Sequence, residues 1–144
     1  MEAPMTDDDL IAIEQYLGRP LPPRYRSLML TYPLDPQDLN SRIALNDNRD
    51  HVLAWNAELR EGEFAEEWGE HRFAIGTSPC GDTYFLDLTG ASEAVFFWDH
   101  ETHEVVSEFV SLDAFVETLK TYEAEAQQRR RSVAATRPWW KFWK

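Results

Sequence analysis

Four histidines, one cysteine and a group of turn carboxylates are the side chains of this sequence best suited to chemistry. The run Asp99-His100-Glu101-Thr102-His103 sets two imidazoles three residues apart among acids, and on a hairpin turn such side chains could converge. A metal site needs several donors at fixed geometry. His51 and His71 stand apart in the chain, and no second ligand pair of recognisable spacing accompanies the first. An exposed polar turn is the simpler reading, and no metal is expected. Cys80 would need a lowered pKa and a positioned base to act as a nucleophile. Nothing in the sequence supplies either, so a partly buried turn cysteine is expected. Asp82 and Asp87 could serve as paired carboxylates, but an aspartate after Gly81 is explained by turn hydrogen bonding. No phosphate loop, GxSxG elbow or HExxH helix is present. The residues point away from an enzyme, and no cofactor is expected.

Charge gives the next constraint. The chain has 144 residues with 26 acidic and 14 basic side chains, a formal net charge of −12. Residues 1–128 hold all 26 acids and only eight of the basic groups, a net of −18. That field opposes nucleic-acid binding by the folded body, since phosphate recognition depends on cationic side chains. It favours a basic partner and speeds the encounter, although acidity also simply keeps a small domain in solution. A single cysteine excludes an internal disulfide framework and suits a reducing compartment. The start, MEAPMTDDDL, lacks a basic region followed by an apolar run. No stretch approaches the ~18 apolar residues of a membrane span. A cytoplasmic location without stable membrane insertion is expected.

The elements that would position these groups follow from periodicity. Thr6 caps a first helix, with Asp9 three residues on completing a capping box and Asp7, Asp8 and Asp9 complementing the exposed N–H groups. The alternative for three adjacent aspartates, a metal site, lacks the later ligands of a calcium loop. Leu10, Ile13 and Leu17 form the apolar stripe, and Gly18 with Pro20 ends it. Pro22 and Pro23 suit a first helical turn, after which Tyr25, Leu28, Met29 and Tyr32 share one side until Pro33. PLDPQDLNSR is a loop, and Ile43 to Leu45 a short strand. Asn46 or Asp47 caps a third helix carrying Val52, Trp55 and Leu59. Glu61, Glu63, Glu66, Glu67 and Glu70, interleaved with Phe64 and Trp68, form an acidic amphipathic stretch, either a solvated face or a docking surface.

Between residues 72 and 110, Phe73 and Ile75 alternate at period two, as do Tyr84, Leu86 and Leu88, while Val95 to Trp98 is almost wholly apolar and Val105, Val106, Phe109 and Val110 complete the run of strand-forming residues. Gly76 and Gly81 fall where a reversal or bulge is needed. Ser111 caps a closing helix with a stripe of Leu112, Phe115, Leu119 and Tyr122. The fold class expected is α+β, an antiparallel β-meander covered by N-terminal and C-terminal helices. The domain is placed at 1–128, with a basic aromatic tail at 129–144 and a linker over 133–137. Trp139, Trp140, Phe142 and Trp143 with Lys141 and Lys144 could fold back on the acidic body, self-associate, or meet an outside partner.

Three segments, LIAIEQYLGRPLPPRYRSLML, FAIGTSPCGDTYFLDLTG and SLDAFVETL, occur in an order that resembles the SMI1/KNR4 family of the SUKH superfamily. Leu21-Pro22-Pro23-Arg24-Tyr25 matches its proline-led second helix. Phe73-Ala74-Ile75-Gly76, then Cys80-Gly81-Asp82, then Tyr84-Phe85-Leu86-Asp87 match its apolar strand, turn, aspartate and aromatic strand. The likeness runs from about Thr6 to Leu119. Ser78-Pro79-Cys80 stands where several glycines are usual, and the chain after Arg131 lies outside the pattern. The resemblance implies an SMI1/KNR4-like fold and a protein-binding domain: a bacterial immunity protein that occludes a cognate, often nuclease, toxin, or alternatively a regulatory scaffold that recruits a host protein. Acidic residues would then meet a basic toxin domain. The contacts expected are Asp82, Asp87, Asp99, Glu101, Glu61, Glu63, Glu66, Glu67 and Glu70.

Overall fold

The alternating segments between residues 72 and 109 become four neighbouring strands, and a fifth precedes them. The computed structural model describes residues 4–31, 44–46 and 48–136. Strands β1 (Ala44–Leu45), β2 (Arg72–Thr77), β3 (Thr83–Asp87), β4 (Val95–Trp98) and β5 (Val105–Phe109) lie in sequence order in one antiparallel sheet. This is the expected meander. Phe73 lies opposite Leu86, Tyr84 opposite Phe97, and Phe97 opposite Val106. Irregularities between Ala74 and Gly76, and between Val95 and Phe96, each shift the register.

Alternation sends two sets of side chains to opposite faces. Phe73, Ile75, Tyr84, Leu86 and Val95 join one cluster with helices α1 (Asp7–Leu17), α2 (Pro23–Leu30) and α5 (Leu112–Thr136). Tyr25 meets Phe73 edge to face at 5.0 Å, and Tyr84 sits 5.2 Å from Phe115. Burial raises the Tyr84 hydroxyl pKa to about 12. Ala74, Phe85 and Trp98 face the other way, with Leu59 of α3 (Arg49–Glu61) and Trp68 of α4 (Ala65–Trp68) over them. α3 serves both clusters, since Val52 lies in the first.

Local chemistry explains most helix ends. The Thr6 box is complete: its N–H donates to Asp9 Oδ2 at 2.9 Å, and Asp9 N–H donates to Thr6 Oγ1 at 3.2 Å. Gly18 closes α1 at φ 74°, and Ser111 Oγ accepts from Ala114 N–H at 3.1 Å. The cap of α3 is neither Asn46 nor Asp47 but Asn48, whose Oδ1 accepts from Asp50 and His51 N–H at 2.8 and 3.2 Å. Asn46 is occupied in the sheet, donating its N–H to Ile75 O at 2.8 Å. The acidic stretch is not one helix. It breaks at Gly62, where a Cβ would press into the Glu58 carbonyl oxygen. Residues 133–136, expected as linker, continue α5. Tyr32, Pro33, Ile43, Asp47 and the segment 137–144 lie outside the described residues.

Candidate functional site

The β2–β3 and β4–β5 turns lie at the same end of the sheet, and a carboxylate–imidazole pair joins them. Asp82 Oδ1 lies 2.7 Å from His100 Nδ1 and accepts the His100 backbone N–H at 3.1 Å. Its other oxygen accepts from Ser78 Oγ at 3.0 Å, and Ser78 Oγ in turn accepts the Asp82 N–H at 3.2 Å. Burial pushes the Asp82 carboxyl upward, but the His100 and Ser78 hydrogen bonds outweigh it and leave its pKa below the ordinary value. The bond to Asp82 raises the His100 pKa, helped by the nearby charges of Asp82, Glu101 and Asp99.

His103 goes elsewhere. It holds a left-handed backbone at φ 64°, stacks on Trp98 at 5.5 Å and meets Phe64 edge on at 5.2 Å. Its Nδ1 lies 2.9 Å from Glu67 Oε2, while Trp98 Nε1 donates to Glu67 Oε1 at 3.5 Å. The two imidazoles that the sequence sets three apart are therefore tied to different elements, one to the β2–β3 turn and one to α4. Ligand atoms of Asp82, Asp99 and His100 do come within 4.8 Å of one another. They are engaged already: Asp99 Oδ1 accepts the Glu101 and Thr102 N–H groups at 2.8 and 3.0 Å.

The other expected contact residues scatter. Asp99, Glu101 and Glu67 gather with Asp82 around the β4–β5 turn, but Asp82 is only 9% exposed. Asp87 is at the opposite end of β3, where its Oδ1 holds Thr89 N–H at 2.9 Å and Thr89 Oγ1 at 2.7 Å. Glu61 accepts the Tyr16 hydroxyl at 2.9 Å and so ties α3 to α1. Glu63, Glu66 and Glu70 are exposed. Cys80, expected partly buried, is exposed instead. Ser78 explains this: its hydroxyl gathers both Asp82 and the Cys80 N–H, and leaves Cys80 at the outer corner of the turn.

Three features escaped the sequence. Val105, Val106 and Val110 were expected to complete the run of strand-forming residues, yet they are 40%, 47% and 82% exposed, the first two on β5, the last strand in the sheet order, and the third just after it. Asn56 is buried against the β2 backbone. A groove of about 580 Å³ opens between the α1–α2 turn, the β3–β4 connection and the start of α5. Along β5, Val106 shares a face with Glu108 and Val105 takes the opposite face, so exposed valines and carboxylates are interspersed along this edge.

The family model described as SMI1 / KNR4 family (SUKH-1) matches residues 4–118. The chain belongs to this family. The match includes every described strand and the first turns of α5, so the SUKH-1 domain accounts for the meander and its helical cover. It stops at residue 118, one short of the buried Leu119 of α5, and the basic half of that helix lies outside it. No curated protein matches the chain. Among the described residues no helix is long and apolar enough to cross a membrane.

Proposed function

We propose that this SUKH-1 domain is a cytoplasmic immunity protein that binds a cognate basic toxin domain and neutralises it by covering its active site. The observation that carries the reading is the β4–β5 edge. Val105 and Val106 on β5, and Val110 just after it, expose apolar surface where the outer side of β5 has no strand partner among the described residues, with Glu101, Glu104 and Glu108 close by in the chain. Edge strands expose backbone groups ready to pair with another chain, and carboxylates interspersed with apolar surface suit a cationic partner. Asp99 and Glu67 extend the same acidic end, while Asp82 and Glu61 are engaged within the fold, Asp82 with His100 and Ser78 and Glu61 with Tyr16. Blockade requires no chemistry from this chain.

The test is coexpression with the basic toxin domain encoded beside it. Growth should be restored by the chain as it stands. A variant carrying Glu101→Lys, Glu104→Lys and Val106→Lys should fold but fail to rescue. A toxin that is neither bound nor neutralised would overturn the reading.

A further inference from the structure

The charge reversal noted in the sequence falls inside one helix. Asp113, Glu117, Lys120, Ala124, Gln128 and Arg131 follow one another at spacings of three and four along α5 and so share one side of the helix.

 All six are exposed. The side opens acidic and closes basic, with a small residue at its middle. We propose that two copies of this chain pair through α5 in antiparallel fashion, and that the basic aromatic segment Trp139–Trp143 of each copy docks in the groove of the other. This reading is independent of toxin binding.

The pairing is set by the spacing along the helix. An antiparallel dyad at Ala124 places Glu117 opposite Arg131 and Lys120 opposite Gln128, in both halves at once, as a twofold interface requires. The small Ala124 side chain allows close approach at the crossing. The same register sets Thr136, the last residue of α5, in one copy opposite Leu112 of the other, and Ser111, Leu112 and Asp113 line the groove.

Reach decides that the segment acts between copies. α5 starts at the groove and runs 25 residues, so its far end lies about 36 Å away at 1.5 Å per residue. Trp143 follows Thr136 by seven residues, a reach of about 25 Å at ~3.6 Å each. The aromatic segment therefore falls short of the groove on its own chain. The chemistry matches as well. Leu21, Pro22 and Leu88 give the groove an apolar wall, Glu93 is acidic, and Arg24 is already paired with Asp113 at 2.7 Å. Two rings from each segment would bury about 600–1,000 Å² in all, which with the helix crossing approaches the ~1,200 Å² of a stable interface.

The test is sedimentation of the full chain, where a mass twice 16.8 kDa is expected. Glu117→Arg and Arg131→Glu each set like charges opposite one another twice, so each alone should weaken the dimer at least tenfold. Mixing the two variants restores both opposite-charge pairs and should return a mixed dimer. Replacing Trp139, Trp140, Phe142 and Trp143 by Ala should give a monomer with unchanged circular dichroism. A chain monomeric at all concentrations, a dimer indifferent to these changes, or a monomer that binds anionic vesicles through the aromatic segment would overturn the proposal.

Discussion

Asn56 and Ala74 are joined by two hydrogen bonds, from Asn56 Nδ2 to Ala74 O at 3.0 Å and from Ala74 N–H to Asn56 Oδ1 at 2.9 Å. Among the described residues β1 pairs with Gly76 and Thr77, and the register slips between Ala74 and Gly76. The Asn56 side chain pairs with the Ala74 backbone as a strand neighbour would and fixes α3 to the sheet. Asn56→Ala would leave a buried N–H and a buried carbonyl without partners, at about 1–3 kcal/mol each. A loss of about 2–4 kcal/mol is expected in urea unfolding. A change under ~0.5 kcal/mol, typical of surface positions, would show that the pair is dispensable.

That bond also marks where the sequence stops being legible. The Thr6 cap and the alternation of Phe73, Ile75, Tyr84 and Leu86 are local patterns, and all appear as expected. Asn56 answers a need created 18 residues away by a strand irregularity, which no spacing reveals. The β-branched type of Val105 and Val106 likewise marks them as strand residues but cannot say that their strand lies at an edge. His100 and His103 look like a pair in sequence, and the left-handed backbone at His103 sends them to separate partners.

Gly62 is required by a close approach. A Cβ there would meet the Glu58 carbonyl oxygen that already accepts the Gly62 N–H at 3.0 Å. Gly62→Ala must move the α3 terminus away from α4, at a cost of about 1–3 kcal/mol. The loss should appear in thermal unfolding, whereas Gly90→Ala, which meets no neighbouring atom, costs only the strain of its positive φ.

His103 combines a contact with a strained backbone, and two substitutions separate them. His103→Ala loses the Glu67 and Trp98 contacts and keeps the left-handed residue, whereas His103→Gly loses the same contacts but relieves that strain. The Ala variant should be less stable by about 1 kcal/mol. Equal stabilities would mean that the turn relaxes to another backbone conformation once the imidazole is gone.

The β5 edge should separate binding from folding. Val106 is 47% exposed, so Val106→Lys should change stability by no more than about 0.5 kcal/mol. Under the proposed function it places a cation against a cationic partner and should weaken toxin binding at least tenfold, read by titration calorimetry. A variant that unfolds, or one that binds as before, would move the docking surface elsewhere.

The Asp82–His100 pair gives stability a defined pH window. His100 has its pKa raised by Asp82, so its contribution is complete below the ordinary histidine value near 6.5 and is lost as pH rises through the raised value. Asp82 has its pKa lowered, against the effect of burial, by His100 and Ser78. Its contribution is complete above the ordinary value of 3.8 and is lost as pH falls through the lowered one. Both are present together between these two ordinary values, so the pair should contribute most at mildly acidic pH. His100→Asn removes the histidine's share of this dependence and its charge. The difference in urea midpoint between the parent chain and His100→Asn should be largest near pH 5 and should shrink as His100 deprotonates on the alkaline side. A difference that stays flat from pH 5 to pH 9 would show that the bond to the neutral imidazole is as good as the ion pair.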